Sequence, residues 1–435
     1  MGGGLLQLAA YGAQDLFLTG NPQMSFFIAV YKRHTNFSIE PINQEFIGNN
    51  GFGEKLTCNL DRIGDLITQI FLNVKIPSLT DLETESQVVG WVNDLGYSLI
   101  EYTEIDIGGT IIDKQYGIWM GIWYELTTPH SKRYAGDILI GKDRSLNNEP
   151  SNRNDSFNLH IPLQFWFCRH EGLALPLIAL QHHEVKINVK FRRLDELWQS
   201  NNGKFNQEIC NETCNNKYNL QSSLKVDYIF LENEERKMFV QRKHNYLIEQ
   251  LQVNTESFQT GQTDITFNLN LSHPVKEIFW IIQNQDNIQK NDENQQFKGN
   301  EWFNFSDRSF NSSTIGPGGG DSELKDTMVS AELQFEGNTR FERRDNIFYR
   351  LQQPYQRHTV TPENFAYYYS FALHPERLQP SGTCNFSRID NANLMIKLVG
   401  NDTKVYMKNP QIILFALNYN ILQIASGMGG LAYVT

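Results

Sequence analysis

At 435 residues, with 38 Lys and Arg against 49 Asp and Glu, the chain has a net charge of −11 and no long basic run. This excludes the cationic footprint that holds DNA or RNA and disfavours an anionic membrane surface. The length is too great for one ordinary core and divides naturally into two domains of roughly 200 residues each.

No stretch approaches the roughly 18 unbroken apolar residues of a spanning helix. The N-terminus lacks the basic region of a signal peptide, and Leu6 stands where an N-myristoylation pattern wants Ser or Thr. The expectation is a soluble protein made in a cytosol. The 28 Phe, 18 Tyr and 7 Trp favour strands, and the apolar segments are mostly short and separated by Asn, Gly, Asp and Pro.

Near the start, Asn21-Pro22 predicts a short helix with Phe26, Phe27, Val30 and Tyr31 on one side and Lys32-Arg33-His34 at its C-terminal end. The period then becomes two. Ile70, Leu72, Val74 and Ile76 share a face, and Pro77 stops the strand. Gly108-Gly109 offers the positive dihedrals of a tight hairpin turn. Val185, Ile187, Val189 and Phe191 alternate with Glu184, Lys186, Asn188 and Lys190, the pattern of a strand wet on one side. Residues 199–223 are Asn-rich and predict a long exposed loop, 226–231 a last strand, and the charged 232–244 a domain boundary.

The second half opens with a strand over 246–253 and another in which Ile265, Phe267, Leu269 and Leu271 face one way. Pro274 precedes the apolar run 278–282. The polar region 283–326 follows, including Gly316-Pro317-Gly318-Gly319-Gly320. Loops this long in a compact β domain usually carry an exposed surface function; a disordered insertion without a role is the other reading. Strands resume over 331–335, 367–371, 393–399 and 412–416. About eight strands per half with long connections suit a double-sheet sandwich of the jelly-roll kind, so the fold class is all-β.

The two halves echo each other. Glu104-Ile105-Asp106-Ile107, then Gly109, Asp113, Lys114 and Ile118-Trp119, return as Glu332-Leu333-Gln334-Phe335, Gly337, Glu342, Arg343 and Ile347-Phe348, at an offset of 228 that becomes 229. Pro176 with Val185, Ile187 and Val189 returns as Pro380 with Leu394, Ile396 and Leu398. Two matches in the same order point to one domain built twice, with two unrelated β domains as the alternative.

Motifs for chemistry are weak. Gly136-x4-Gly141-Lys142 resembles a phosphate loop until Asp143, where Ser or Thr would hold magnesium, and the polar stretch that follows gives an anion no helix dipole. His182-His183-Glu184 has metal-ligand residue types, but on a strand the two His point to opposite faces, and His182 with Glu184 alone makes no site. Cys210 and Cys214 lie in a polar loop with no second Cys or His pair nearby. Five scattered cysteines fit a reducing compartment rather than a disulfide framework. Ser381-Gly382-Thr383-Cys384, with His374 upstream, lacks a nucleophile elbow and predicts a turn. No catalytic, cofactor-binding or metal-binding residue is assigned. Asn211, Asn304, Asn311 and Asn401 are sequons, a pattern that an Asn-rich chain also produces by chance.

The termini are more specific. Ala10-Tyr11-Gly12-Ala13-Gln14-Asp15, Leu18-Thr19-Gly20-Asn21-Pro22-Gln23, Phe26-Phe27 and Tyr31-Lys32-Arg33-His34-Thr35-Asn36-Phe37 resemble the N-terminus of major capsid proteins of nucleocytoplasmic large DNA viruses. So do residues 172–181, 380–391, Asn418-Tyr419-Asn420 and 426–433. The resemblance spans nearly the whole chain and implies a double jelly roll of two tandem eight-stranded domains. Its division would be an N-terminal segment 1–35, a first jelly roll 36–231, a linker 232–244 and a second jelly roll 245–435. It further implies a homotrimer whose six barrels imitate a hexagon and tile an icosahedral shell. Neighbouring capsomers and minor capsid and penton proteins would be the partners, with no direct nucleic acid contact, no cofactor, assembly in the host cytoplasm and residence in the virion. By the same analogy the long loops form the outer surface and the N-terminal segment lies near the capsid interior. Regions 199–223 and 283–326 look individual to this chain. A glycan-binding jelly-roll module and a cupin-type metalloenzyme are the other readings.

Overall fold

The computed structural model describes residues 2–79, 89–142, 156–200, 220–288, 299–307, 325–399, 407 and 409–433. Residues 1–37 form one compact unit and 38–435 another.

In the first unit the backbone is helical over Gly3–Ala9 and Leu16–Thr19, with a 3-10 turn at Ala13–Asp15. The helix expected after Asn21-Pro22 does not form. Asn21 has φ 49°, a left-handed conformation, whereas a helix N-cap has extended dihedrals. Phe26 and Phe27 are fully exposed, and so short a helix is marginal without an apolar surface to bury its face.

The strands form two similar sandwiches. The first contains β1 Phe37–Glu45, β2 Lys55–Asn59, β3 Leu66–Ile76, β4 Ile100–Ile107, β5 Thr110–Tyr116, β6 Phe157–Pro162, β7 Val185–Phe191 and β8 Gln221–Leu231. Their sheets run β1-β8-β3-β6 and β2-β7-β4-β5. The second contains β9 His244–Ser257, β10 Asp264–Asn268, β11 Pro274–Gln283, β12 Met328–Phe335, β13 Asn338–Thr339, β14 Tyr367–Ser370, β15 Ala392–Leu398 and β16 Gln411–Ala425. Its sheets run β9-β16-β11-β14 and β10-β15-β12-β13. Each strand of the second sandwich therefore takes the place of the strand numbered eight lower in the first. This is a double jelly roll.

Both sequence echoes fall on matching strands. The first relates β4 to β12, and the second relates β7, which pairs with β4, to β15, which pairs with β12. Gly108-Gly109 and Glu336-Gly337 make the same tight turn, all four with positive φ. The charge pattern returns as well: Lys114 Nζ lies 3.1 Å from Glu104 Oε1, and Arg343 Nε lies 3.6 Å from Glu332 Oε2. One match is corrected. Pro176 pairs with Leu66 at the start of β3, and the residue that pairs with Pro274 at the start of β11 is Asn385, not Pro380.

Several boundaries also move. Gln221–Leu231 is one long strand, so the loop expected over 199–223 ends at least three residues early, and a helix, Asn233–Gln241, occupies the charged boundary. On β7 the outward Asn188 is buried and accepts a hydrogen bond from Thr57 Oγ1 at 2.7 Å, so that face is only partly wet. The polar 283–326 region is not simply an exposed loop. Within it Asn300, Asn304, Phe305 and Ser306 are buried.

Candidate functional site

The two sandwiches share a core. Ile278, Trp280 and Ile282 on β11 face the interior of the second sandwich, while Phe279 and Ile281 face the first. On β16, Leu414 and Ala416 face the second interior, and Phe415 and Leu417 face the first. A sheet buried on both faces reads as an unbroken apolar run, which accounts for residues 278–282.

A polar cluster lies in this seam. The short helix Trp166–Arg169 ends by placing Arg169 Nη1 2.6 Å from Glu249 Oε2 on β9. Lys276 Nζ, on β11 and 1% exposed, lies 2.5 Å from the other Glu249 oxygen and donates to Pro375 O at 2.7 Å. The Arg169 guanidinium stands 4.6 Å from the Trp123 ring centroid and 5.2 Å from that of Trp119. These rings project from the helix Gly117–Thr127, and Trp123 meets Phe279 edge-on at 6.4 Å. One carboxylate shared by two cations in a dry setting gives a strong but demanding interaction.

Beside the cluster, β5 of the first sandwich lies against β9 of the second. Leu251 N donates to Asp113 Oδ1 at 3.1 Å, Gln115 Nε2 donates to Asp113 Oδ2 at 2.8 Å, and Gln250 Nε2 donates to Ile112 O. Burial pushes the Asp113 carboxyl up to about 6 despite these donors. The contact covers a sheet edge that would otherwise offer unpaired backbone groups.

Two struts flank it. Residues 299–307 reach the first sandwich, where Trp302 Nε1 donates to Glu196 O at 2.8 Å and Asn300 Nδ2 donates to Trp198 O at 2.9 Å. Arg192 stacks over the Trp302 ring at 3.9 Å, and Phe303 lies against Gly121, where a Cβ would meet its ring at 2.3 Å. At the chain's end the hairpin β16 to Met428–Leu431 grips the first sandwich: His182 N donates to Gly427 O at 2.9 Å and Gly429 N donates to His183 Nδ1 at 3.2 Å.

The residues singled out for chemistry are not brought together. His182 and His183 occupy a turn before β7 rather than the strand, and Glu184 pairs with Lys186 at 3.0 Å. Gly136 lies inside the helix His130–Ile140, so 136–142 is not a phosphate loop. His374 meets Ser381 through its backbone N, which donates to Oγ at 2.9 Å, as in a turn. Asn304 is 1% exposed and its amide donates to Glu301. Asn211, Asn311, Asn401, Cys210 and Cys214 lie outside the described residues, as does the 316–320 glycine-rich piece. Sequence reasoning missed the seam cluster and its struts. The available signals were the unbroken apolar run on β11 and the aromatic trio Trp302, Phe303, Phe305 in a polar region.

Comparison with known proteins agrees with this architecture. Residues 25–232 match the family described as major capsid protein N-terminus, and 235–430 match the large eukaryotic DNA virus major capsid protein. The major capsid proteins of Pyramimonas orientalis virus and Phaeocystis pouchetii virus are 39% and 37% identical to the chain, each over 100% of both sequences. A quasi-atomic model of the PBCV-1 virus capsid contains a chain 32% identical, matched over 94% of this chain and 100% of its own, with a TM-score of 0.74. The chain belongs to the family of major capsid proteins of large eukaryotic DNA viruses.

Proposed function

We propose that the chain is the building block of an icosahedral viral shell, associating as a homotrimer in which six jelly rolls imitate a hexagon. The observation that carries this is the repeated strand order held in one block by the buried seam. Two similar rolls per chain, taken three times around a closed axis, give six similar sides, and a shell needs many repeated contacts made by few kinds of patch. The family is one of structural proteins, so neither the glycan-binding nor the metalloenzyme reading is retained.

In this reading 36–231 and 245–435 are the two rolls, 232–244 joins them and 1–35 leads into the first; the eight-for-eight correspondence of strands supports that division. Neighbouring capsomers, minor capsid proteins and penton proteins are the partners, and assembly takes place in the host cytoplasm. Asn211, Asn311 and Asn401, among other sequons of the chain, are the sites proposed for glycosylation. Light scattering tests the central point. The full chain is expected at about 150 kDa, three times 50.3 kDa, and a stable species at one chain's mass would overturn the proposal.

A further inference from the structure

No side chain of residues 2–37 is buried, although this unit is rich in large apolar groups. Phe17 is 93% and Phe27 97% exposed, and Leu8, Leu18, Val30 and Tyr31 stand open to a similar degree. Exposed apolar groups concentrated in this way mark an interaction site.

Charge narrows what that site can meet. Residues 1–37 contain Lys32 and Arg33 against one acid, Asp15, so the acidic excess of the chain lies wholly in residues 38–435. The Asp15 carboxylate is itself engaged, accepting from Gly12 N at 2.7 Å. The net negative charge that disfavours an anionic membrane for the chain as a whole therefore does not act in this segment. The order of residues is also informative: Phe26-Phe27-Ile28-Ala29-Val30 leads into Tyr31 and then Lys32-Arg33-His34. Aromatic rings settle at the level of lipid headgroups, and cations beside them meet anionic phosphates.

The distribution of the apolar groups favours lipid over a protein groove. A groove takes one face of a helix or alternate residues of a strand. Here Phe26, Phe27 and Ile28 are consecutive and all exposed, as are Leu5 and Leu6 in the helix Gly3–Ala9, and residues 20–36 form neither helix nor strand. Apolar groups pointing to every side suit a fluid that surrounds them. The 26–31 run is far shorter than the roughly 20 residues of a spanning helix. It fits the interface instead, where water still pairs with backbone groups.

We propose that residues 1–37 bind an anionic lipid surface, with the 26–31 run among the headgroups and Lys32 and Arg33 on lipid phosphates. Shell building does not require this, so the inference stands apart from the trimer reading.

Flotation of the full-length chain with vesicles tests it. The wild type is expected to float with vesicles of phosphatidylcholine mixed with phosphatidylglycerol, to float weakly with phosphatidylcholine alone, and to be released by high salt. Phe26→Ser with Phe27→Ser, and separately Lys32→Glu with Arg33→Glu, are each expected to weaken binding to the mixed vesicles roughly tenfold or more. Tyr134→Ser with Ile138→Ser is the control, since both residues are exposed on the helix His130–Ile140, outside the segment; it is expected to float as the wild type does. An unchanged near-ultraviolet circular dichroism spectrum shows that each variant keeps its fold. A wild type that stays at the bottom of the gradient, doubles that float undiminished, or a control that loses binding equally would overturn the proposal. Should the wild type fail to float while the Phe26 and Phe27 changes lower its mass in light scattering, another copy of the chain covers the segment and the lipid reading is wrong.

Discussion

Glu249 holds two cations, Arg169 from the opposite side of the seam and the almost fully buried Lys276 from its own sheet. Removing one member of a buried ionic group strands the others without compensation, which typically costs 3–5 kcal/mol. We expect Glu249→Ala to lose roughly that much stability in denaturant unfolding; a loss below about 1 kcal/mol would place this cluster with weak surface pairs. His358 behaves differently. Its Nε2 lies 3.2 Å from Glu277 Oε2 and its Nδ1 3.0 Å from Glu376 Oε1. Burial opposes the charge, but the two carboxylates outweigh it and hold the imidazole up to about 9. An unfolded histidine titrates near 6.5. The protonated clamp therefore adds stability that is fully present below pH 6.5 and lost as pH rises through 9, on the order of 3 kcal/mol. Unfolding midpoints measured at pH 6.5 and 9.5 should fall for the wild type and change much less for His358→Gln; parallel falls would refute the clamp. None of these residues carried a local signature, because a lone Glu or Lys on a strand has the same sequence pattern whether its partner is water or a neighbouring domain.

At the scale of elements, the alternation of apolar residues located β3 and β7 well, since a strand packed on one side must repeat every second residue. It was silent on β11, where both faces are buried and the period disappears. The hairpins were legible from Gly108-Gly109 and Gly337, because few residues tolerate positive φ at a two-residue turn. The helix expected after Asn21 failed for the reverse reason: a capping pattern without a surface to pack on does not sustain so short a helix. The helix Gly117–Thr127 depends on tight packing, with Gly121 leaving room for Phe303. A side chain there has to displace an aromatic ring held by its own neighbours. Gly121→Leu should destabilise by about 1–3 kcal/mol in denaturant unfolding, and a neutral result would mean that residues 299–307 yield easily.

For the whole molecule, the shared core predicts how the chain unfolds. Phe279, Ile281, Phe415 and Leu417 belong to the same core as Leu72, Trp119 and Ile187, so parting the rolls exposes apolar surface that each needs buried. Calorimetry should show one cooperative transition rather than two. Two well-separated transitions would mean that the seam is only a contact between independent domains. The duplication itself was visible from two short echoes, since copies of one sandwich keep strand, turn and charge in order.

The sequence by itself determined the all-β class, the doubling of the domain and the resemblance to large DNA virus capsid proteins, because strand period, turn residues and local motifs are written along the chain. Only the tertiary structure decided how the copies adhere. Glu249 is 80 residues from Arg169 and 27 from Lys276, and Trp302 is 106 from Glu196. Burial and charge pairing at such separations depend on which surfaces face one another, and linear spacing does not encode that.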